Sequence, residues 1–417
     1  MKKPECIFPS KTNRRSFLKQ GTVAAGAATL SAGLLTGGSP VFAREEDDRA
    51  PLTKGDIAIL TFLQALEQVE ADLWIQYSEL GGIQDNEVSG VNGGNPAYTA
   101  ALTILDGDMP QYIHDNTDDE ISHARFLQNY LESKGASAVS LEQFRHLPTS
   151  KATGANQNFK GDGGRLTNLT QLTVDTSYWT RYRSITNPDF DLAAKFIQAT
   201  GNFDGTNTNS LNGGRFTAIP RNDNDTAGSD ASNPPSSITS KLQAIAFTAG
   251  FHFAFIEQGG TSLYPALAQK VTNLEVLRVL LSIGPSETMH FQTWQDKAGN
   301  ANQGNPPLTV TDPINNSTVT FRDLHVAQGE SQNETDNQGK VLQANLIMPE
   351  PTHFLNKNFG PVAIIRPTST AQGGAVASVQ SFADDGLFLD PATGKNTGIV
   401  AFLMRLAEEA DEARRRS

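Results

Sequence analysis

The sequence predicts a mainly α-helical protein built on a bundle of four long helices, and three observations carry the prediction. Apolar residues recur at steps of three and four in four long stretches. The stretches fall into two pairs, separated by one long polar connection. Each pair carries a Glu in an apolar setting on its first helix and a Glu-x-x-His on its second.

The N-terminus is set aside first, because Arg14-Arg15-Ser16-Phe17-Leu18 precedes a mildly apolar run from Val23 to Leu35, with small residues at Val41-Phe42-Ala43. Residues 1–43 resemble a twin-arginine export signal, which a receptor reads and which is not an anchor. The apolar run is too short and too rich in Gly, Ser and Thr to favour a membrane span. The expectation is export of an already folded protein to the periplasm or the extracellular space. Losing residues 1–43 removes six basic residues and one acidic residue, so the formal charge moves from −12 to −17. An acidic chain without a basic stripe argues against nucleic acid as a partner, and against stable association with an anionic membrane. Cys6 is the one cysteine and lies in the signal, so any metal site in the remainder must use His, Asp and Glu.

The bundle is expected over residues 55–300. Asp56 to Tyr77 reads as one helix without Gly or Pro, with Leu60, Leu63, Glu67, Glu70 and Trp74 near one face. A second helical region is expected from about Ala97 to Lys134, with Asn116-Thr117-Asp118 as an N-cap for the stretch bearing Glu120 and His123. Residues 135–237 read as an irregular crossover insert, in which Leu166–Arg183 and Asp189–Ala199 have helical character. Helix signals return over Ile238–Gln258, extending toward Lys270, and over Asn273–Lys297. Residues 301–417 form a small β/α extension: a hairpin from Leu308–Thr311 and Ser317–Phe321, a strand at Pro361–Ile365, and a terminal helix over Gly398–Arg415.

Glu-x-x-His puts a carboxylate and an imidazole on one helical face, one turn apart, which is what a metal site between helices needs. It occurs at Glu120–His123 and Glu287–His290, each after a helix with a candidate partner, Glu67 or Glu257. A third match, Glu350–His353, contains Pro351 and is discounted because proline pushes the preceding residue out of helical geometry. Glu257 follows the apolar run Ala244–Ile256, where a carboxylate requires a partner or a cation. Trp74 and Tyr264 each follow an upstream Glu by seven residues, which makes the halves a degenerate repeat and places both aromatics beside the ligands. Glu70, one turn beyond Glu67, is the alternative first-helix ligand. His252 lies about 140° around its helix from Glu257 and reads as a core or interface histidine. His114, His146 and His325 fall in polar or loop-like surroundings and receive no role, and Arg221–Asp230 reads as a solvated loop rather than a calcium site.

With these residues in view, the chain resembles the ferritin-like superfamily of di-iron and di-manganese carboxylate proteins, and more narrowly the exported branch that includes desiccation-related proteins. Leu66–Trp74 is similar to the first-helix signature of that branch, and Leu169–Ser184 to its middle region. The resemblance implies two metal ions, manganese or iron. Glu120 and Glu287 would bridge them, Glu67 with His123 and Glu257 with His290 completing one each. It also implies that Asp119 hydrogen-bonds His290. Ser286 stands at the counterpart position, and Gly284-Pro285 should kink or restart the fourth helix.

Four carboxylates and two imidazoles without sulfur suit manganese or iron. The expected activity is redox chemistry on a small oxidant, peroxide or dioxygen, with manganese-catalase-like disproportionation of hydrogen peroxide preferred. The alternatives are a ferroxidase-like di-iron oxidase and a non-catalytic desiccation or stress-protection protein with structural metals. Oligomeric state stays open, a homo-oligomer included.

Overall fold

A computed structural model describes residues 51–85, 94–155, 164–172, 217–234, 236–299, 309–311, 318–320, 358 and 374–414. The signal segment, the regions expected to be helical after Leu172, the strand at Pro361–Ile365, His325 and the Glu350–His353 match lie outside these residues. The described residues are mainly helical. None of their helices is long and apolar enough to cross a membrane.

The first helix, α1, spans Lys54–Gly81 and starts at a reciprocal cap: Thr53 Oγ1 accepts the Asp56 N–H at 3.1 Å while Asp56 Oδ2 accepts the Thr53 N–H at 3.2 Å. Helix α1 is buried on nearly every side, including the polar residues Gln64, Asp72, Gln76 and Glu79. Their partners come from the crossover. Arg145 Nη1 reaches Asp72 at 2.5 Å, the backbone N–H groups of Leu166 and Thr167 donate to Asp72 Oδ2 at 3.0 Å, and Arg165 grips both oxygens of Glu79 at 2.7 Å. A buried pair of this kind contributes little net stability, but it fixes which segment lies on which face of α1. Residues 166–172, expected to begin a helix, are instead irregular and bridge-like, with Arg165 paired to Leu147. The backbone donors of Leu166 and Thr167 are committed to Asp72, that of Asn168 to the Leu387 carbonyl and that of Thr170 to the Asn168 side chain, rather than to a helical ladder.

The expected second helical region divides into α2, Pro96–Leu102, and α3, Met109–Ser133. The break falls at Asp106-Gly107-Asp108, where Asp106 accepts from the Asp108 N–H at 2.8 Å and from Lys297 Nζ at 2.7 Å. Asn116-Thr117-Asp118 is therefore mid-helix and caps nothing. Thr117 Oγ1 instead bonds back to the Ile113 carbonyl at 2.7 Å and reaches the Trp74 carbonyl at 3.2 Å, tying α3 to α1.

After the crossover, Thr239 caps α4, Ser240–Ala268, which continues through Pro265. Helix α5 spans Leu274–Gly299 and continues through Pro285 without restarting. Pro285 lies on the exposed side of α5, one turn beyond Leu281, which is 57 % exposed, so solvent is close to the carbonyl that loses its helical donor. Gly284 on the buried side has a packing role: a Cβ there would lie 2.7 Å from Tyr264 Cβ.

Helix α1 packs along α3, and α4 along α5. In the C-terminal region, Thr309–Thr311 (β1) pairs antiparallel with Thr318–Thr320 (β2), placing Val310 opposite Val319. The helices α6 (Gly374–Asp385) and α7 (Ile399–Glu412) flank a two-residue ladder of Leu389–Asp390 (β3) with Lys395–Asn396 (β4). Helix α7 lies against α1 and α6 against α4, and Val379, Phe382, Leu403 and Leu406 join the same apolar core as the long helices. Helix α6 adds to the hairpin, strand and terminal helix expected of this region.

Candidate metal centre

The six candidate ligands come from four helices: Glu67 from α1, Glu120 and His123 from α3, Glu257 from α4, and Glu287 and His290 from α5. All four glutamates are at most 1 % exposed. They form two overlapping groups, Glu67, Glu120, His123 and Glu287, and Glu120, Glu257, Glu287 and His290, with the ligand atoms in each within 4.8 Å of one another. Glu120 and Glu287 belong to both. These buried groups can hold a metal ion.

The imidazoles mark the two ends. His123 Nδ1 lies 3.4 Å from Glu67 Oε2, 3.1 Å from Glu120 Oε2 and 3.4 Å from Glu287 Oε1. His290 Nδ1 lies 3.2 Å from Glu120 Oε1 and 3.3 Å from Glu257 Oε2. Behind His290, its Nε2 is 2.9 Å from Asp119 Oδ2; behind His123, its Nε2 is 3.3 Å from Ser286 Oγ. The histidine side chains are 12 % exposed and Asp119 is 52 % exposed, so the solvent-facing edge of the cluster lies between α3 and α5.

The protons show how much cation the cluster demands. Burial, reinforced by the charge of Glu120 and opposed by His123, pushes the Glu67 carboxyl up to about 7. Burial and neighbouring carboxylates hold Glu287 well above the usual carboxylate range. Glu257 is raised in the same way, against the pull of His290. Glu120 goes the other way: despite burial, its contacts with His123 and His290 depress it. Both imidazoles are driven up, the surrounding glutamates overcoming burial. Glu67 Oε2 and both carboxylate oxygens of Glu287 are buried without a hydrogen bond. His123 alone faces Glu67 Oε2 and Glu287 Oε1, at 3.4 Å each, and one imidazole is too little charge for this many buried carboxylates, so these oxygens are suited to a cation.

Other side chains hold the carboxylates in place. Tyr264 donates a short hydrogen bond from its hydroxyl to Glu67 Oε1. Asn116 Nδ2 donates to Glu120 Oε1 at 2.9 Å and to Glu257 Oε1 at 3.1 Å, and its own Oδ1 accepts from Trp294 Nε1 at 2.7 Å. Gly260 lets Glu287 approach α4: a Cβ there would meet Glu287 Oε2 at 2.5 Å.

The two aromatics singled out by their spacing do different things. Tyr264 touches a ligand of the other half, whereas Trp74 stacks on Trp294 with centroids 5.4 Å apart and is linked to the carboxylates through Trp294 and Asn116. Glu70 is buried outside the two ligand groups, and burial together with the charges of Glu287, Glu67, Glu120 and Glu257 pushes it well above the usual range. His252 is a buried α4 residue, 2.7 Å from the Tyr77 hydroxyl. His114, expected in polar surroundings, is buried in α3 at 3.1 Å from Asp85, and His146 is exposed. The Arg221–Asp230 segment is a mostly exposed loop, as expected, but Asp225 within it is buried between Arg221 Nε at 2.8 Å and Lys241 Nζ at 2.7 Å.

Asn116, Trp294 and Gly260 escaped the sequence reading. Trp294 had a usable signal, since it follows Glu287 by seven residues as Trp74 follows Glu67. Asn116 sits one turn before Glu120 on the same face. Gly260 had none, because only the approach of α5 gives it a role. No protein-family model, curated protein or solved structure matches the chain.

Proposed function

We propose that the chain is an exported ferritin-like protein whose four long helices form a bundle around two metal ions, manganese or iron, and that it disproportionates hydrogen peroxide. The observation that carries this reading is the sharing of Glu120 and Glu287 by two ligand groups, each ending in its own histidine. When bound, a pair of such ions supplies one-electron redox changes at two adjacent positions.

The protein's part is geometry and protons. Glu287 offers two buried oxygens free of hydrogen bonds, Oε1 at 3.4 Å from His123 Nδ1 and Oε2 against Gly260. Asn116 fixes Glu120 against Glu257, Tyr264 fixes Glu67, and Asp119 holds the His290 ring, so the donors are pre-arranged rather than gathered on binding. The exposed edge between α3 and α5 admits a small oxidant, while the apolar core behind α1 and α4 excludes bulk water.

The donor set is hard oxygen and imidazole nitrogen only, which suits iron as well as manganese. An oxidase consuming dioxygen is therefore the second reading. The test is metal analysis of the protein taken from its own compartment, followed by oxygen measurement on adding peroxide. Bound manganese with rapid oxygen release supports the first reading, and bound iron with dioxygen consumption the second. A purified protein without a stoichiometric metal pair would leave neither standing. Export is tested separately: Arg14→Lys with Arg15→Lys should trap the chain in the cytoplasm, and unchanged export contradicts the twin-arginine route.

A further inference from the structure

The side chains behind the candidate centre form a continuous aromatic path that ends at a tyrosine paired with a histidine. It begins at Asn116, which donates to Glu120 at 2.9 Å and to Glu257 at 3.1 Å. Trp294 Nε1 donates to Asn116 at 2.7 Å, the Trp294 ring stacks on Trp74 at 5.4 Å, and Trp74 meets Tyr77 at 5.8 Å. Phe253 fills the angle between them, 4.9 Å from Trp74, 4.7 Å from Trp294 and 4.5 Å from Tyr77. At the far end the Tyr77 hydroxyl lies 2.7 Å from His252 Nδ1.

We propose that Tyr77 is a redox-active tyrosine, oxidised through Trp74 and Trp294 by the metal centre, with His252 taking its phenolic proton. The oxidant comes from the peroxide chemistry proposed above, on which this inference rests. The step balances as a one-electron, one-proton transfer. Tyr77 loses one electron, which the oxidised centre would accept, and its O–H proton, which His252 Nδ1 gains. The products are a neutral tyrosyl radical and an imidazolium hydrogen-bonded to it.

Three features favour this over packing alone. A tyrosine far from any base loses an electron only at high potential, since its radical cation must keep an acidic proton, whereas a hydrogen-bonded imidazole removes that barrier. The geometry is that of a proton transfer, with Nδ1 at 2.7 Å from the hydroxyl, and burial, which pushes His252 down to about 3, keeps the ring neutral; it is then a weak base, but one strong enough for the far more acidic radical cation of a phenol. Tyr77 is fully buried, and burial holds its hydroxyl well above 10, so it is the protonated phenol that is oxidised. The other tyrosine reached from Trp294 is Tyr112, edge-on at 6.3 Å, and it is a poorer trap: Lys297 Nζ sits 5.3 Å over its ring, where a cation disfavours loss of an electron. A hole parked on Tyr77 lies away from the imidazoles and carboxylates that an unfinished turnover would otherwise damage.

The experiment is freeze-quenched electron paramagnetic resonance on the full chain, loaded with manganese or iron and mixed with hydrogen peroxide. The expected result is a tyrosyl signal that narrows when ring-deuterated tyrosine is incorporated, vanishes in Tyr77→Phe at unchanged metal content, and falls at least about tenfold in His252→Gln. A tyrosyl signal that persists in Tyr77→Phe, or its absence from wild-type protein that is consuming peroxide, overturns the proposal. If the protein consumes no peroxide, the proposed reaction has failed, and the relay is read on metal-free protein with a flash-generated ruthenium photo-oxidant. There, a radical on Tyr77 that decays faster in His252→Gln supports the relay. An identical radical spectrum in wild type and Tyr77→Phe overturns it.

Discussion

Asp119 Oδ2 lies 2.9 Å from Nε2 of His290, while the equivalent nitrogen of His123 faces Ser286 Oγ at 3.3 Å. A carboxylate behind an imidazole fixes its tautomer and raises its basicity more than a hydroxyl does, so the two ends of the site are chemically unequal.

Asp119→Asn should therefore weaken binding at the His290 end by about 10–100-fold, the usual cost of losing such a partner. Ser286→Ala should cost less than about 10-fold at the His123 end. Stepwise metal titration followed by calorimetry separates the two. Equal losses in both variants would show that the asymmetry has no consequence.

Gly260 lies where a Cβ would come within 2.5 Å of Glu287 Oε2. Gly260→Ala should push Glu287 aside and reduce metal content, although alanine favours the helix by about 1 kcal/mol. Metal-free Gly260→Ala should accordingly melt no lower than the metal-free wild type, while its metal-bound form melts lower. Wild-type metal content in this variant would mean that Glu287 is not held where the geometry puts it.

The metal-free protein should lose stability as pH rises. Glu67 goes from 4.5 in the unfolded chain to about 7 in the folded one, so the native state binds the extra proton between those values. That contribution is complete below pH 4.5 and is lost as pH climbs through about 7, a change of roughly 3 kcal/mol at most. The raised imidazoles act in the same direction, while the depressed Glu120 matters only at more acid pH. Metal competes for the same oxygens, so stabilisation by added manganese should grow over this interval. Thermal melts from pH 4.5 to 8, with and without manganese, read both effects. A metal-free protein that gains stability over this range would contradict the burial of these carboxylates.

The long helices were legible because apolar spacing is a local property, and α1, α4 and α5 end within a few residues of where that spacing ends, even though Pro265 and Pro285 lie inside α4 and α5. Glu120–His123 and Glu287–His290 were legible for the same reason. What was not legible depended on partners distant in sequence. Asn116-Thr117-Asp118 has N-cap composition, yet its side chains bond across to Trp74, Glu257 and Trp294 instead. Leu166 and Thr167 give their backbone donors to Asp72, about ninety residues earlier, which no local pattern could reveal. Pro285 looked like a break, but at a solvent-facing position a helix tolerates it.

The central claim is that Glu120 and Glu287 are shared by two metal ions. Metal content per chain, measured on wild type, Glu287→Ala and His123→Ala, tests it most directly. The account predicts two ions in wild type, fewer than one in Glu287→Ala, and about one in His123→Ala, whose opposite end keeps Glu257 and His290. A wild-type protein that binds a single ion, or a Glu287→Ala variant that keeps two, would contradict it.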